Sequence, residues 1–329
     1  MSNSTINNKS DIATLNKFSN KNTFGLQAKK FLGDNLPPFI LMAPALFLFL
    51  CFSIYPILFA IRYCLYDYNG FGTALFVGLQ KFEKLFDLSS QNSFNYWSAW
   101  PRTILYGVTK LSIEIPLALL TAIIINTKIR GSSFFRGLFY MPQILPGMVM
   151  GVVFVNMLNP FNGIINDILM SLHIISERYS FLAHPGSAFT VGITIDVWQS
   201  FGINMLFFLA GLSGISRELY ESAEVDGATV GESFLYITLP SLAKISRIII
   251  LLAMVATFKT TGSYFVLTSG GPNHSTELVY LYIYKIFFNS SISGTVDIGF
   301  GSAVAVVSAA ILGMISILYT KLTKKFDED

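Results

Sequence analysis

The sequence predicts an all-α integral membrane protein with about six transmembrane helices, and two observations carry that reading. Hydrophobic residues make up 53% of the 329 positions and charged residues only 12%, with a mean hydropathy of +0.57. A soluble domain carries about 25% charged residues, so half the expected charge is missing. The charges that remain gather in residues 1–37, in 214–247 and in the last nine positions, leaving long apolar stretches between them. That is the distribution of a polytopic bundle.

Residues 1–37 are polar and rich in Asn, Ser and Lys, unlike a secretory signal, and are expected to form a flexible cytoplasmic tail. A transmembrane domain is expected over 38–322, with a cytoplasmic C-terminal tail at 323–329. A span needs about 20 mostly apolar residues to cross a hydrocarbon core of about 30 Å. Residues 39–61 offer 23 uncharged positions in a row. Further spans are expected at 103–126, holding Lys110 and Glu114, and at 137–158. Span four, 188–212, holds Asp196; span five, 248–268, holds Lys259; span six covers 298–320.

Six spans put both termini on one side. The segments on that side hold fourteen Lys and Arg and the opposite loops six, so the termini are expected to be cytoplasmic.

Several function classes find no support. The basic residues form no dense stripe, which argues against nucleic acid. The 30 Phe and 15 Tyr suit lipid-facing and interfacial positions. Cys51 and Cys64 stand roughly 20 Å apart along a helix, too far for a disulfide. His173, His184 and His274 are scattered and suggest no metal site. No nucleophile–base constellation points to a membrane enzyme.

The charged segment between spans four and five, 214–244, contains most of the remaining information. Leu219, Tyr220 and Ala223 fall at helical spacing, with Glu218, Glu221 and Glu224 on the other faces. Gly227 is placed to let the chain turn sharply, because it tolerates positive φ. A second short amphipathic run, 234–239, follows, and Pro240 is expected to break it before the chain re-enters the bilayer. Two short helices about a glycine hinge make an exposed knob, or else an ordinary solvated loop.

The spacing within that knob is distinctive. Glu221-Ser222-Ala223, then Gly227, then Ile237 and Leu239-Pro240 resemble the EAA signature of binding-protein-dependent ABC importer permeases, with Ser222 in place of the usual Ala. Asp226, in Val225-Asp-Gly-Ala228, also looks like that family. The stretches 39–56, 76–82, 135–142, 159–166 and 267–272 are similar to its carbohydrate branch, in particular the first, maltose- and glycerol-phosphate-permease-like subunit.

The resemblance implies the type I ABC importer permease fold, with the knob as a coupling helix seated in a groove of an ATP-binding subunit. It implies that Glu221, Ala223 and Gly227 make or shape that contact. It further implies a heterodimer with a second homologous permease subunit, two ATP-binding subunits and an extracytoplasmic solute-binding protein. The sequence holds no G-x-x-x-x-G-K-[ST]. ATP and Mg are therefore expected in the partner ATPase, with no cofactor on this chain.

For the solute, Asp196, Gln199, Ser200 and Ile203 lie at i, i+3, i+4 and i+7 on one face of span four. An intramembrane Asp must face protein or water, so Asp196 is either a buried carboxylate bonded to a neighbouring helix or a solute contact. Ala253, Thr257, Thr260 and Tyr264 form a comparable face on span five, although hydroxyl residues there also serve helix packing. Counting without gaps from Glu221, the sugar-lining positions of the maltose permease fall on these eight residues, with different identities. Trp198 points elsewhere and reads as packing.

Lys110 and Glu114, at i and i+4, can pair, or form a proton relay. Lys259 is read as snorkelling or lining the cavity. The sugar-importer reading thus stands beside an alternative, an ion- or proton-coupled carrier of a polar solute using Asp196 or Lys110–Glu114.

Overall fold

A computed structural model describes residues 41–127, 130–260, 262–288 and 296–324. The expected N-terminal tail lies outside these, as does most of the C-terminal one; residues 323 and 324 continue the last helix. The chain divides into two units, Met1–Arg62 and Tyr63–Asp329.

Helix α1, Leu41–Tyr63, is the first span. Its turn Leu50–Ile54 is π-helical, with the Tyr55 N–H bonded to the Leu50 carbonyl. Pro56 follows at once. A proline lacks the N–H and crowds the carbonyl four residues back, and a preceding turn widened to i→i+5 relieves both.

In the second unit a small antiparallel pair, β1 (Tyr66–Asp67) and β2 (Leu75–Phe76), leads into the short helix α2, Gln80–Phe86. Helix α3, Gln91–Asn126, runs 36 residues, about 54 Å, so it starts well before the predicted span. A broken span follows: α4, Ser132–Ile144, and α5, Gly147–Met157, meet at 93°. This corrects the straight helix expected at 137–158. Pro146 drives the residue before it out of the helical region, and Leu145 sits at ψ 133.

Helix α6, Ile164–Ser171, and span four, α7 (Pro185–Ser213), come next, then α8, Arg217–Val225, and α9, Val230–Ser233. A second π-helical turn, Phe234–Thr238, passes into α10, Leu239–Phe258. Here too the structure corrects the sequence reading. Pro240 does not break the chain: the helix runs through it, and the widened π-helical turn before it, like the one before Pro56, makes room for the ring and its missing N–H. Span five instead breaks after Phe258, and α11, Gly262–Leu267, completes it.

Helix α12, Val279–Phe288, is ten residues of apolar helix that no predicted span covered. At about 15 Å it is too short to cross alone. Helix α13, Ile298–Lys324, is the final span. Among the described residues five helices are long and apolar enough to cross a membrane, or six with α4–α5 as one, in line with the expected count of about six.

The core of this unit is built on α3 against α7, the most extensive helix pair. Ala118, Ala122 and Ile125 meet Met205, Phe208, Leu209 and Leu212, and Leu242 and Ile249 of α10 close the cluster. Small residues permit close approach where no hydrophobic force separates helix from lipid. A Cβ on Gly202 would lie 2.0 Å from the Phe139 carbonyl oxygen, and one on Gly192 would lie 2.2 Å from the Tyr264 ring. The opposite face of α3, including Leu105, Val108, Leu120 and Ile124, is exposed and apolar, as a lipid-facing surface must be.

Candidate functional site

Both helix breaks open onto one polar space. A cavity of about 240 Å³ lies between Lys110 of α3, Gln143 of α4, Asp196, Gln199 and Ser200 of α7, and Thr260 and Ser263 at the α10–α11 break. Interrupted helices are tolerated at membrane depth where freed backbone groups find partners. Gln199 supplies one, its Nε2 donating to the Leu145 carbonyl at the α4–α5 bend, 2.6 Å away.

Asp196 is 4% exposed, and each of its carboxylate oxygens accepts a hydrogen bond. Tyr106 donates to Oδ2 at 2.5 Å and Ser263 donates to Oδ1 at 2.7 Å. The carboxylate is thus bonded to neighbouring helices, the first of the alternatives the sequence left open, and it also borders the cavity. Beside it, Lys110 Nζ pairs with Glu114 Oε2 at 2.5 Å and donates to Thr257 Oγ1 at 3.1 Å. Asn204 Nδ2 donates to Glu114 Oε1 at 2.6 Å.

Of the eight positions proposed for solute contact, Asp196, Gln199, Ser200 and Thr260 border the cavity. Ile203, Ala253, Thr257 and Tyr264 are not among its lining residues. Thr257 is buried against Lys110, and Tyr264 is 0% exposed with its hydroxyl donating to the Phe189 carbonyl. For Tyr264 the cause is simple: the helix stops at Phe258, so helical spacing counted from Ala253 does not reach it, whereas Ile203, Ala253 and Thr257 lie on unbroken helix and still fall outside the lining. Lys259 is exposed at that break, and Trp198 packs on Phe154. Tyr106, Gln143, Asn204 and Ser263 were not anticipated. Tyr106 shares a helical face with Lys110 and Glu114, a signal present in the sequence.

The knob is built from local rules. Ser216 caps α8, its Oγ accepting from the Glu218 N–H. Gly227 closes the helix at φ +80. The Ala228 N–H bonds to the Ala223 carbonyl and the Gly227 N–H to that of Glu224, the paired bonds of a Schellman cap. Thr229 and Glu232 then form a capping box that starts α9. No residue of α8 is buried. Glu221, Ser222, Asp226 and Gly227 are exposed and Ala223 half-buried; Leu239 and Pro240 are exposed and Ile237 half-buried. Val225 at 87% and Val230 at 89% exposure put apolar side chains at the tip of an acidic surface.

A helical bundle with solute-sized polar space inside it and an outstanding helix presented at one end is the architecture of a transporter's membrane component. The family described as "Binding-protein-dependent transport system inner membrane component" matches residues 114–327, and this chain belongs to that family. It is 30% identical to "Probable ABC transporter permease protein YesP" of Bacillus subtilis, over 88% of this chain and 90% of that one. It is 28% identical to the B. subtilis "Arabinooligosaccharides transport system permease protein AraP", over 90% and 91%. It is also 32% identical to the "Multiple sugar-binding transport system permease protein MsmF" of Streptococcus mutans, over 65% and 71%. A chain of the crystal structure of a bacterial ABC transporter involved in the import of the acidic polysaccharide alginate shares the fold. Its TM-score is 0.76 at 20% identity, covering 91% of this chain and 99% of that one. Membership of this family does not favour the ion- or proton-coupled carrier.

Proposed function

We propose that this chain is one permease subunit of an ATP-driven oligosaccharide importer, contributing half of the translocation pathway. The observation that carries the sugar assignment is the cavity at Asp196. Its carboxylate, the amides of Gln143 and Gln199, and the hydroxyls of Ser200, Thr260 and Ser263 are the donor and acceptor types that match sugar hydroxyls. The printed names of the relatives, arabinooligosaccharides and multiple sugars among them, support the same class.

In this reading Asp196, Gln199, Ser200 and Thr260 hold the solute, and the 217–240 knob seats in a separate ATPase subunit that binds ATP and Mg. Glu221, Ser222, Ala223, Asp226 and Gly227 form the contact, while Ile237, Leu239 and Pro240 set its base. The pathway is completed by a second permease subunit. An extracytoplasmic solute-binding protein delivers the sugar; a complex of the alginate transporter with such a protein supports this partner. The excess of Lys and Arg on the knob side supports cytoplasmic termini.

The work cycle is alternating access. ATP-driven closure of the ATPase pulls on the knob, tilts the helices until the cavity faces outward, and hydrolysis returns it inward. The test is uptake by the reconstituted complex with Asp196→Asn and Thr260→Val. Transport should fall at least tenfold while the complex stays assembled and its basal ATPase persists. Unchanged sugar uptake in both variants would remove the cavity from the pathway.

A further inference from the structure

The knob is not packed solidly onto the bundle. A cavity of about 490 Å³ separates α8 from the end of α3, at Ile123, Asn126 and Thr127, and from the π-helical turn. Tyr220 of α8 reaches over the gap, and its hydroxyl lies 2.9 Å from Thr238 Oγ1. Thr238 is 6% exposed and is the last residue of the widened turn, directly before α10.

From that point the path to the solute cavity is a rigid rod followed by one contact. Helix α10 is 20 residues long, about 30 Å, and its far end carries Thr257, which accepts a hydrogen bond from Lys110. Lys110 is paired to Glu114, and Glu114 is held by Asn204 of α7. A continuous chain of contacts thus links Thr238 through α10 to α3 and α7, two of the helices that border the cavity.

We propose that the Tyr220–Thr238 hydrogen bond is the latch through which the knob drives α10, making Tyr220 and Thr238 positioning residues for transport. The inference rests on the knob being the ATPase contact. The sequence pattern of that contact contains neither residue: Tyr220 stands just before Glu221 and Thr238 between Ile237 and Leu239. The space behind α8 gives the latch its meaning. With few other contacts to bear load, the knob can shift against the bundle, and loss of one hydroxyl leaves the helix folded but slack.

A claim of coupling needs a measurement of coupling. The full transporter, with its ATPase subunits and binding protein, is reconstituted as wild type, Tyr220→Phe, Thr238→Val and the double variant. Sugar imported per ATP hydrolysed is then measured. Each single variant should lower that ratio at least threefold, with ATPase subunits still co-purifying, and the double variant should be no worse than the poorer single one. Thr238→Ser, which keeps the hydroxyl, should retain the wild-type ratio. A wild-type ratio in Tyr220→Phe, or single losses that multiply in the double variant, would overturn the latch. A wild-type complex without any ATPase subunit would overturn the function proposed above, and the latch with it.

Discussion

Asn204 donates to the one Glu114 oxygen that Lys110 leaves open: its Nδ2 lies 2.6 Å from Oε1, while Lys110 Nζ holds Oε2 at 2.5 Å. Both oxygens of Glu114 are thus held by protein. Lys110 and Glu114 are 3% and 1% exposed, so neither charge can be left to water.

Removing one partner should therefore be far worse than removing both. Glu114→Ala strands a buried ammonium, a loss of about 3–5 kcal/mol, whereas replacing a buried pair with apolar residues of similar size is often close to neutral. Thermal unfolding of the purified complex checks this. Glu114→Ala should lower the midpoint sharply, and Lys110→Met with Glu114→Leu should recover most of it. Equal losses in the two would mean that the pair is not the buried unit described.

Gly227 yields a second prediction. A Cβ there meets nothing within 4 Å, yet φ is +80, so the cost of substitution is conformational and not steric. A side chain in the left-handed region costs roughly 1–2 kcal/mol, least for Asn, which visits it readily. Gly227→Asn should keep uptake near wild type. Gly227→Val should lower uptake and uncouple ATP hydrolysis, with insertion into the membrane unchanged. Steric crowding at the partner would instead disable both, and the Asn variant distinguishes the two causes.

How far the site could be read from the sequence depends on whether its helices are continuous. Asp196, Gln199 and Ser200 sit on α7, which runs unbroken from Pro185 to Ser213, so their i, i+3, i+4 spacing translates directly into one cavity face. Tyr264 lies beyond the end of α10 at Phe258, where no proline marks the break, so spacing misplaced it; Ile203, Ala253 and Thr257 lie on unbroken helix, and there the neighbouring helices, not the spacing, decide which positions face the cavity. The bend at Leu145 did carry a mark, Pro146. A 20-residue hydropathy criterion passes over it because the flanks remain apolar. The same criterion misses α12, which is half the needed length. Within the knob the turn at Gly227 was legible, because a glycine turn is set by neighbouring residues alone; the run at 234–239 was not, because it passes without a break through Pro240 into α10.

A pH dependence follows from the segment before α3. Lys81 Nζ sits 2.7 Å from Asp67 Oδ1 and 3.0 Å from Asp297 Oδ1. Burial opposes its charge, but the hydrogen bonds and negative charges of Asp67 and Asp297 outweigh that and hold the ammonium above the ordinary lysine range. A folded-state value raised above the unfolded one, about 10.4, gives stability that is complete below that pH and lost as pH rises through the folded value. The wild-type unfolding midpoint should thus decline above about pH 10.4 by more than that of Lys81→Met. Parallel profiles would exclude Lys81 as the titrating tie between this segment and α13.

Two glycines test whether close helix approach, and not helix propensity, dictates where small residues stand. Both Gly202 and Gly313 lie inside long helices, α7 and α13. A Cβ on Gly202 would stand 2.0 Å from the backbone oxygen of Phe139, while one on Gly313 meets nothing within 4 Å. At Gly313 an alanine only removes unfolded-state freedom and should stabilise by about 0.5–1 kcal/mol. At Gly202 the obstructing atom is main chain, which cannot rotate away, so the α4–α7 contact must open; overpacking of this kind typically costs about 1–3 kcal/mol. Gly313→Ala should raise the unfolding midpoint slightly and Gly202→Ala should lower it and impair uptake. The opposite order would mean that α4 yields to α7 easily, and that the 93° bend is not held in place by this contact.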